Sequence, residues 1–238
     1  FDKLQTADGT SLTYRSDKFT PASFVSHSAK ATSTQLASID LLPKIQDKVF
    51  LTPELAPIFR GKPDDLTERF SIITRVLDGQ GLTTDSGTHG QRGYEGTYLF
   101  AWLGCTTPLD NQVWNVMGQL GSRLFFYTLE TAAATTTDEL MQDMERPGRY
   151  KRGLEECQDA VCQVVEALFA SAKTDVAWKM NREVRKEIAH CAELLAIMRT
   201  PADGKNETPP QPEAPTRAAA VLGAFARGRA LVLSLIHI

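Results

Sequence analysis

Apolar residues recur along this chain in two rhythms, as short unbroken runs in its first half and at helical spacing throughout its second. Up to about residue 28 the pattern is mixed, with β-type runs at Ser11-Leu12-Thr13-Tyr14 and Ser23-Phe24-Val25 between polar turns. Residues 32–45 carry Leu36, Ile39 and Leu42 at helical spacing and predict one helix. Val49-Phe50-Leu51-Thr52, closed by Pro53, suits a buried parallel strand. Pro63 opens a second helix, with Asp64, Asp65 and Glu68 near its positive end and Leu66, Phe70, Ile73 and Leu77 on one face; Gly79 closes it. Residues 82–97, punctuated by Gly87, Gly90, Gly93 and Gly96, predict a hairpin or an extended loop. A second strand spans 98–103 and runs into Thr106-Thr107-Pro108, a helix covers 111–120, and a third strand covers 124–127. Strands alternating with helices predict an α/β fold, a parallel sheet with helices on both faces.

After Glu130 the rhythm changes. Residues 131–137 are small and polar, and Arg146-Pro147-Gly148-Arg149 breaks the chain. Beyond it only helices are predicted: one with Val161, Val164, Val165, Leu168 and Phe169, and another with Val184, Ile188, Cys191, Leu194, Leu195 and Met198. The last follows the Pro-rich segment 208–215 and carries Val221, Leu222, Phe225 and Leu231. The expected division is an α/β part at 1–130, a linker or insertion at 131–152 and an all-helical domain at 153–232. The chain has no initiator Met at Phe1. It closes on Leu233-Ser234-Leu235-Ile236-His237-Ile238, which a common transposon-end sequencing adapter spells in this frame. Residues 233–238 are therefore expected to be a reading artefact and the chain a fragment.

With 42% hydrophobic and 23% charged residues, the 238-residue chain has a globular composition, enough for one large domain or two smaller ones. A net charge of -3 gives no electrostatic case for coating nucleic acid or an acidic membrane, though it leaves room for a local basic contact. No stretch is long and apolar enough to span a bilayer, and no signal-like segment opens the chain, so a cytoplasmic protein without a membrane partner is expected. Four cysteines are too few for a disulfide framework. Cys157, Cys162 and Cys191 fall in helix-like runs, which predicts reduced, buried thiols.

The candidate chemistry lies at the ends of the predicted strands. Val49-Phe50-Leu51-Thr52-Pro53-Glu54 is an apolar run tipped by an acid, and the next strand ends Gly104-Cys105-Thr106-Thr107-Pro108. One helix later comes Leu120-Gly121-Ser122-Arg123-Leu124-Phe125-Phe126, and Ala214-Pro215-Thr216-Arg217-Ala218 opens the last helix. In this order the segments resemble the Walker B strand, the sensor-1 strand, the Ser-Arg-Phe step and the sensor-2 helix of AAA+ P-loop ATPases of the MCM and MoxR sort. The resemblance covers residues 47–231 by motif order and spacing rather than by continuous identity. It implies a partial P-loop NTPase sheet followed by a helical lid, with ATP as substrate and Mg²⁺ as cofactor. Glu54 would polarise the attacking water, Thr107 would sense the γ-phosphate, Arg123 would reach a neighbouring subunit's site and Arg217 would contact phosphate from the lid. Thr52 would touch the metal through water. His89, Gln91 and Arg92 sit where MCM-type proteins place a hairpin that touches DNA.

Three departures qualify what the resemblance implies. Thr107 replaces the family's usual sensor Asn but keeps a hydroxyl that can hydrogen-bond water. Pro53 stands where the family has its Mg²⁺-associated Asp, and proline neither ligates a metal nor donates a hydrogen bond. No G-x-x-x-x-G-K-S/T loop occurs in the 238 residues. The expected function is a fragment of an oligomeric, ring-forming ATPase that remodels DNA or protein. The alternatives are an ATP-binding assembly module that hydrolyses weakly, or a helicase-like replication protein of a mobile element. Other clusters carry blander expectations. Arg146, Arg149, Tyr150, Lys151 and Arg152 read as a solvated linker, and Cys157, Cys162, His190 and Cys191 lack zinc spacing. Ser26-His27 has no acid partner visible in the sequence.

Overall fold

The computed structural model describes residues 4–6, 8–27, 31–87, 90–120, 123–129, 136–146, 148–171, 180–198, 200 and 214–236. They fall in two units, one of residues 2–123 with 191–218 and one of residues 124–190 with 219–238.

The first unit is built on a three-stranded parallel sheet in the order β1 (Thr13–Arg15), β2 (Val49–Thr52), β5 (Ala101–Gly104). Thr13 pairs with Val49, and Val49 with Ala101, so the three strands run level. Parallel neighbours need long crossovers. The first carries a 3-10 turn at Pro21–Ser23, α1 (Ser33–Ile39) and α2 (Leu41–Ile45); the second carries α3 (Pro63–Leu77) and an antiparallel hairpin of β3 (Gly81–Ser86) and β4 (Gly90–Glu95).

Phe50, at the centre of the middle strand, is wholly buried. It stacks on Trp102 at 5.9 Å and meets Phe19 at 5.2 Å. Burying such a side chain contributes about 1.5–3 kcal/mol. On α3, Leu66, Phe70, Ile73 and Val76 are buried at helical spacing, and the helix packs along α4 (Asn111–Leu120).

The helix expected over 32–45 divides at Asp40, whose backbone is extended (φ -65°, ψ 141°). Pro43 is the cause. It has no N–H for the Ile39 carbonyl, and its ring would clash there if the helix continued. Lys44 Nζ donates to that carbonyl instead, at 3.1 Å.

In the hairpin, Gly81 (φ 78°) and Gly93 (φ 150°) hold backbone conformations unfavourable to other residues. A Cβ on Gly81 would meet the Tyr94 carbonyl oxygen, and one on Gly93 the Leu82 carbonyl oxygen.

The second unit contains α5 (Thr137–Glu145), α6 (Arg149–Ser171) and parts of α7 (Arg182–Met198) and α8 (Thr216–Ile236). Every described element after β5 is a helix. The strand expected at 124–127 is not formed. A buried parallel strand needs cover on both faces, whereas Tyr127 is 86% exposed and Phe125 turns its ring edge-on to Phe225 at 5.6 Å. The thiols expected to be buried are not: Cys157 and Cys191 are exposed and Cys162 is half-buried, and α6, which carries two of the three, has no fully buried side chain among its described residues. All four cysteines are free, and no described helix is long and apolar enough to cross a membrane.

Candidate functional site at the carboxyl edge of the sheet

Open parallel sheets bind ligands beyond the carboxyl ends of their strands, where loops diverge. Here the ends of β2 and β5 stay joined past the strands themselves. Cys105 N donates to the Thr52 carbonyl at 3.2 Å, and Leu55 N donates to the Cys105 carbonyl at 2.8 Å. Gly104 permits this approach, since a Cβ there would come within 2.5 Å of Leu55 Cδ1. Glu54 and Thr106-Thr107 therefore emerge side by side at one edge. Glu54 is exposed, and its Oε1 accepts from Ala56 N at 2.8 Å. Thr107 is exposed, and its carbonyl accepts from Thr106 Oγ1 at 3.0 Å.

Thr52 points the other way. It is 1% exposed, and its Oγ1 accepts from Trp102 Nε1 at 3.0 Å. Its hydroxyl serves the core beneath the edge. With Pro53 beside it, Glu54 is the one carboxylate at the tip of β2. No group of three or more His, Cys, Asp or Glu among the described residues is arranged to hold a metal ion. These residues do not fit a Mg²⁺ held by this chain at the tip of β2.

Arg123 lies at the opposite end of the sheet. Its Nε and Nη2 donate to the two oxygens of Asp78, at 2.9 and 3.1 Å, and Nη1 donates to the Leu120 carbonyl at 3.1 Å. Asp78 caps the C-terminus of α3. The adjoining Gly79 carbonyl takes Tyr98 N, and Asp47 N, ahead of β2, donates to the Leu99 carbonyl. These bonds fix the amino ends of β2 and β5. Arg217 is exposed in the first turn of α8.

Of the hairpin residues, Gln91 is exposed opposite Asp85 and His89 lies outside the described residues. Arg92 turns inward. Its Nη2 donates to Asp40 Oδ2 at 2.7 Å, and its side chain is 18% exposed.

Asp40 is the hub of a polar network that sequence inspection missed. It is wholly buried, and Oδ2 also accepts from the Tyr94 hydroxyl at 2.7 Å. Oδ1 accepts from Ser26 N at 2.9 Å and from Ser26 Oγ at 2.5 Å. Burial pushes the Asp40 carboxyl upward, but the bonds from Ser26 and Tyr94 and the Arg92 charge outweigh it and leave it below the ordinary carboxylate value. Burial and the bond to Asp40 drive the Tyr94 phenol well above its usual value. The network thus supplies the acid that Ser26 lacked in the sequence, as a fixed ion partner rather than a base. His27 turns away from Ser26 and bonds Thr84 Oγ1 through Nε2 at 2.7 Å, which adds a second tie between the first crossover and the hairpin. A signal was present in the alternation of Arg92 and Tyr94, two polar residues on one face of a strand.

No family model, no curated protein and no solved structure matches this chain.

Proposed function

We propose that this chain carries the catalytic strand edge of an AAA+-type ATPase of the MCM or MoxR sort, acting as an oligomeric ring that remodels DNA or protein in the cytoplasm. One observation carries the reading. The acid-tipped strand and the polar-tipped strand are parallel neighbours joined at their carboxyl ends, so Glu54 and Thr107 share one edge. Phosphoryl transfer demands little covalent chemistry from a protein and much positioning. Glu54 accepts a hydrogen bond from the attacking water, and the Thr107 hydroxyl meets the γ-phosphate of ATP on the same side. Arg123 lies at the far end of the sheet, paired with Asp78, and would have to leave that pair to act at a neighbouring subunit's site. Arg217 acts from the helical lid.

A second reading, a nucleotide-binding assembly module that barely hydrolyses, is favoured by the tip of β2. Pro53 offers no ligand, and the Thr52 hydroxyl is spent on Trp102. Phosphate release and ATP binding by the protein translated from the complete gene separate the two. Release that Glu54→Gln abolishes while binding persists supports the ATPase reading. Binding without release supports the module, and absence of ATP binding sinks both.

A further inference from the structure

The segment expected as a linker or insertion contains α5, whose start is held by a reciprocal cap. Thr136 N donates to Glu139 Oε2 at 2.8 Å, and Glu139 N donates to Thr136 Oγ1 at 3.3 Å. At 9 residues the helix is shorter than the roughly 12–15 that a lone helix needs to persist in water, so its stability depends on packing an apolar face. Leu140, Met141 and Met144 form that face, and each is more than half exposed. Every described side chain of α5 is exposed, so its own chain leaves the face open.

Charge complementarity identifies the cover. α5 carries Asp138, Glu139, Asp143 and Glu145 and no base, which makes it the one described helix with acids alone. α8 is its opposite, with Arg217, Arg227 and Arg229 and no acid. The arrangement matches as well as the sign. On α5, Asp138, Met141 and Glu145 fall in one row at i, i+3 and i+7, beside Leu140 and Met144. On α8, Phe225, Arg229 and Val232 fall in one row at i, i+4 and i+7, all exposed and all ahead of residue 233. An apolar side chain between two acids is the counterpart of an arginine between two apolar side chains. α5 and this part of α8 belong to the same unit, yet α5 stays open there, so its own α8 is not the cover. We propose that a second copy of this chain docks on this face, each copy laying α5 on the Phe225, Arg229 and Val232 row of the other. The same pair of surfaces is then used twice about a two-fold axis. The pairing requires no nucleotide.

Sedimentation equilibrium of the full 238-residue chain tests it, with two variants of exposed residues whose fold is checked by circular dichroism. One carries Asp138→Lys with Glu145→Lys, the other Arg229→Glu. The parent is expected to pass from 26.2 kDa to twice that mass as its concentration rises. Raising NaCl from about 50 to about 500 mM should weaken the dimer, because the charges are exposed. Each variant alone should dimerise about tenfold more weakly or worse, since like charges then face each other in both contacts. Mixed in equal amounts, the two variants should recover the parent's affinity, because each contact again joins opposite charges. A parent that stays at 26.2 kDa up to about 200 µM overturns the proposal. So does a dimer that neither variant weakens. A mixture no tighter than the variants alone also overturns it, and is the outcome if α5 folds back on its own chain or meets a different partner.

Discussion

Replacing Asp40 by Asn keeps the shape of the buried hub and removes its charge. If the amide oxygen takes the Oδ1 position, both bonds from Ser26 survive, and the amide nitrogen then faces Arg92 and Tyr94. Tyr94 can rotate its hydroxyl and accept. Arg92 cannot, because a guanidinium only donates. The variant therefore loses one charge-assisted bond, about 1.5–3 kcal/mol, and leaves a cation without its counter-charge. Breaking a fully buried pair costs about 3–5 kcal/mol, but Arg92 keeps a window to water at 18% exposure, so a loss of about 2–3 kcal/mol is expected. Urea unfolding followed by tryptophan fluorescence reads it directly, since Trp102 is stacked on Phe50 in the same core. With a slope of about 1–3 kcal/mol per molar urea, the midpoint should fall by about 1–2 M. A double-mutant cycle with Arg92→Met should return a coupling of at least about 1 kcal/mol. A midpoint within about 0.2 M of the parent, or a coupling near zero, would refute the hub as a stabilising element.

Two further outcomes follow from the same unit. The folded Asp40 carboxyl is depressed, so its contribution is fully present above the unfolded value near 3.9 and is lost as pH falls through the lower folded value. The stability gap between the parent and Asp40→Asn should accordingly shrink as pH falls below about 4, and a gap that stays flat contradicts the assignment. In the hairpin, Gly93→Ala should cost more than Gly90→Ala. Both sites have positive φ, but a Cβ at 93 meets the Leu82 carbonyl whereas one at 90 meets open space. The second change should cost about 1 kcal/mol and the first about 2 kcal/mol or more, and equal urea midpoints for the two variants would disprove the steric argument.

What could be read from the sequence was the part whose causes are local. Pro63 and Gly79 mark α3, the glycine spacing marks the hairpin, and the closing Pro53 marks β2; the helix at 111–120 appears where its apolar spacing put it. The break at Asp40 was also local, set by Pro43, but the apolar spacing of 32–45 runs through it without interruption. The run at 124–127 has strand composition, yet strand formation depends on a neighbour with a free edge and on cover for both faces, neither of which composition encodes. The Asp40 hub was beyond reach for a different reason: its partners sit 14, 52 and 54 residues away, and only the folded chain brings them together. At the candidate site, Glu54 and Thr107 were found as strand tips. Thr52 looked the same in sequence but is the last residue of β2 and still faces the core, where it holds Trp102, whereas Glu54 lies beyond the strand's end and is exposed.

The Asp40 hub also constrains how this chain can diverge. Four positions, 26, 40, 92 and 94, answer to one carboxylate, and a change at any one of them strands the others: a cation without an anion, or a buried acid short of donors. Drift at these sites should be concerted, with the acid and the arginine lost together and an apolar pair of similar volume taking their place. Distant homologues should then divide into those that keep the whole set and those that have discarded it. Chains carrying half of it should be scarce, and such joint inheritance would mark common descent where the rest of the sequence has ceased to.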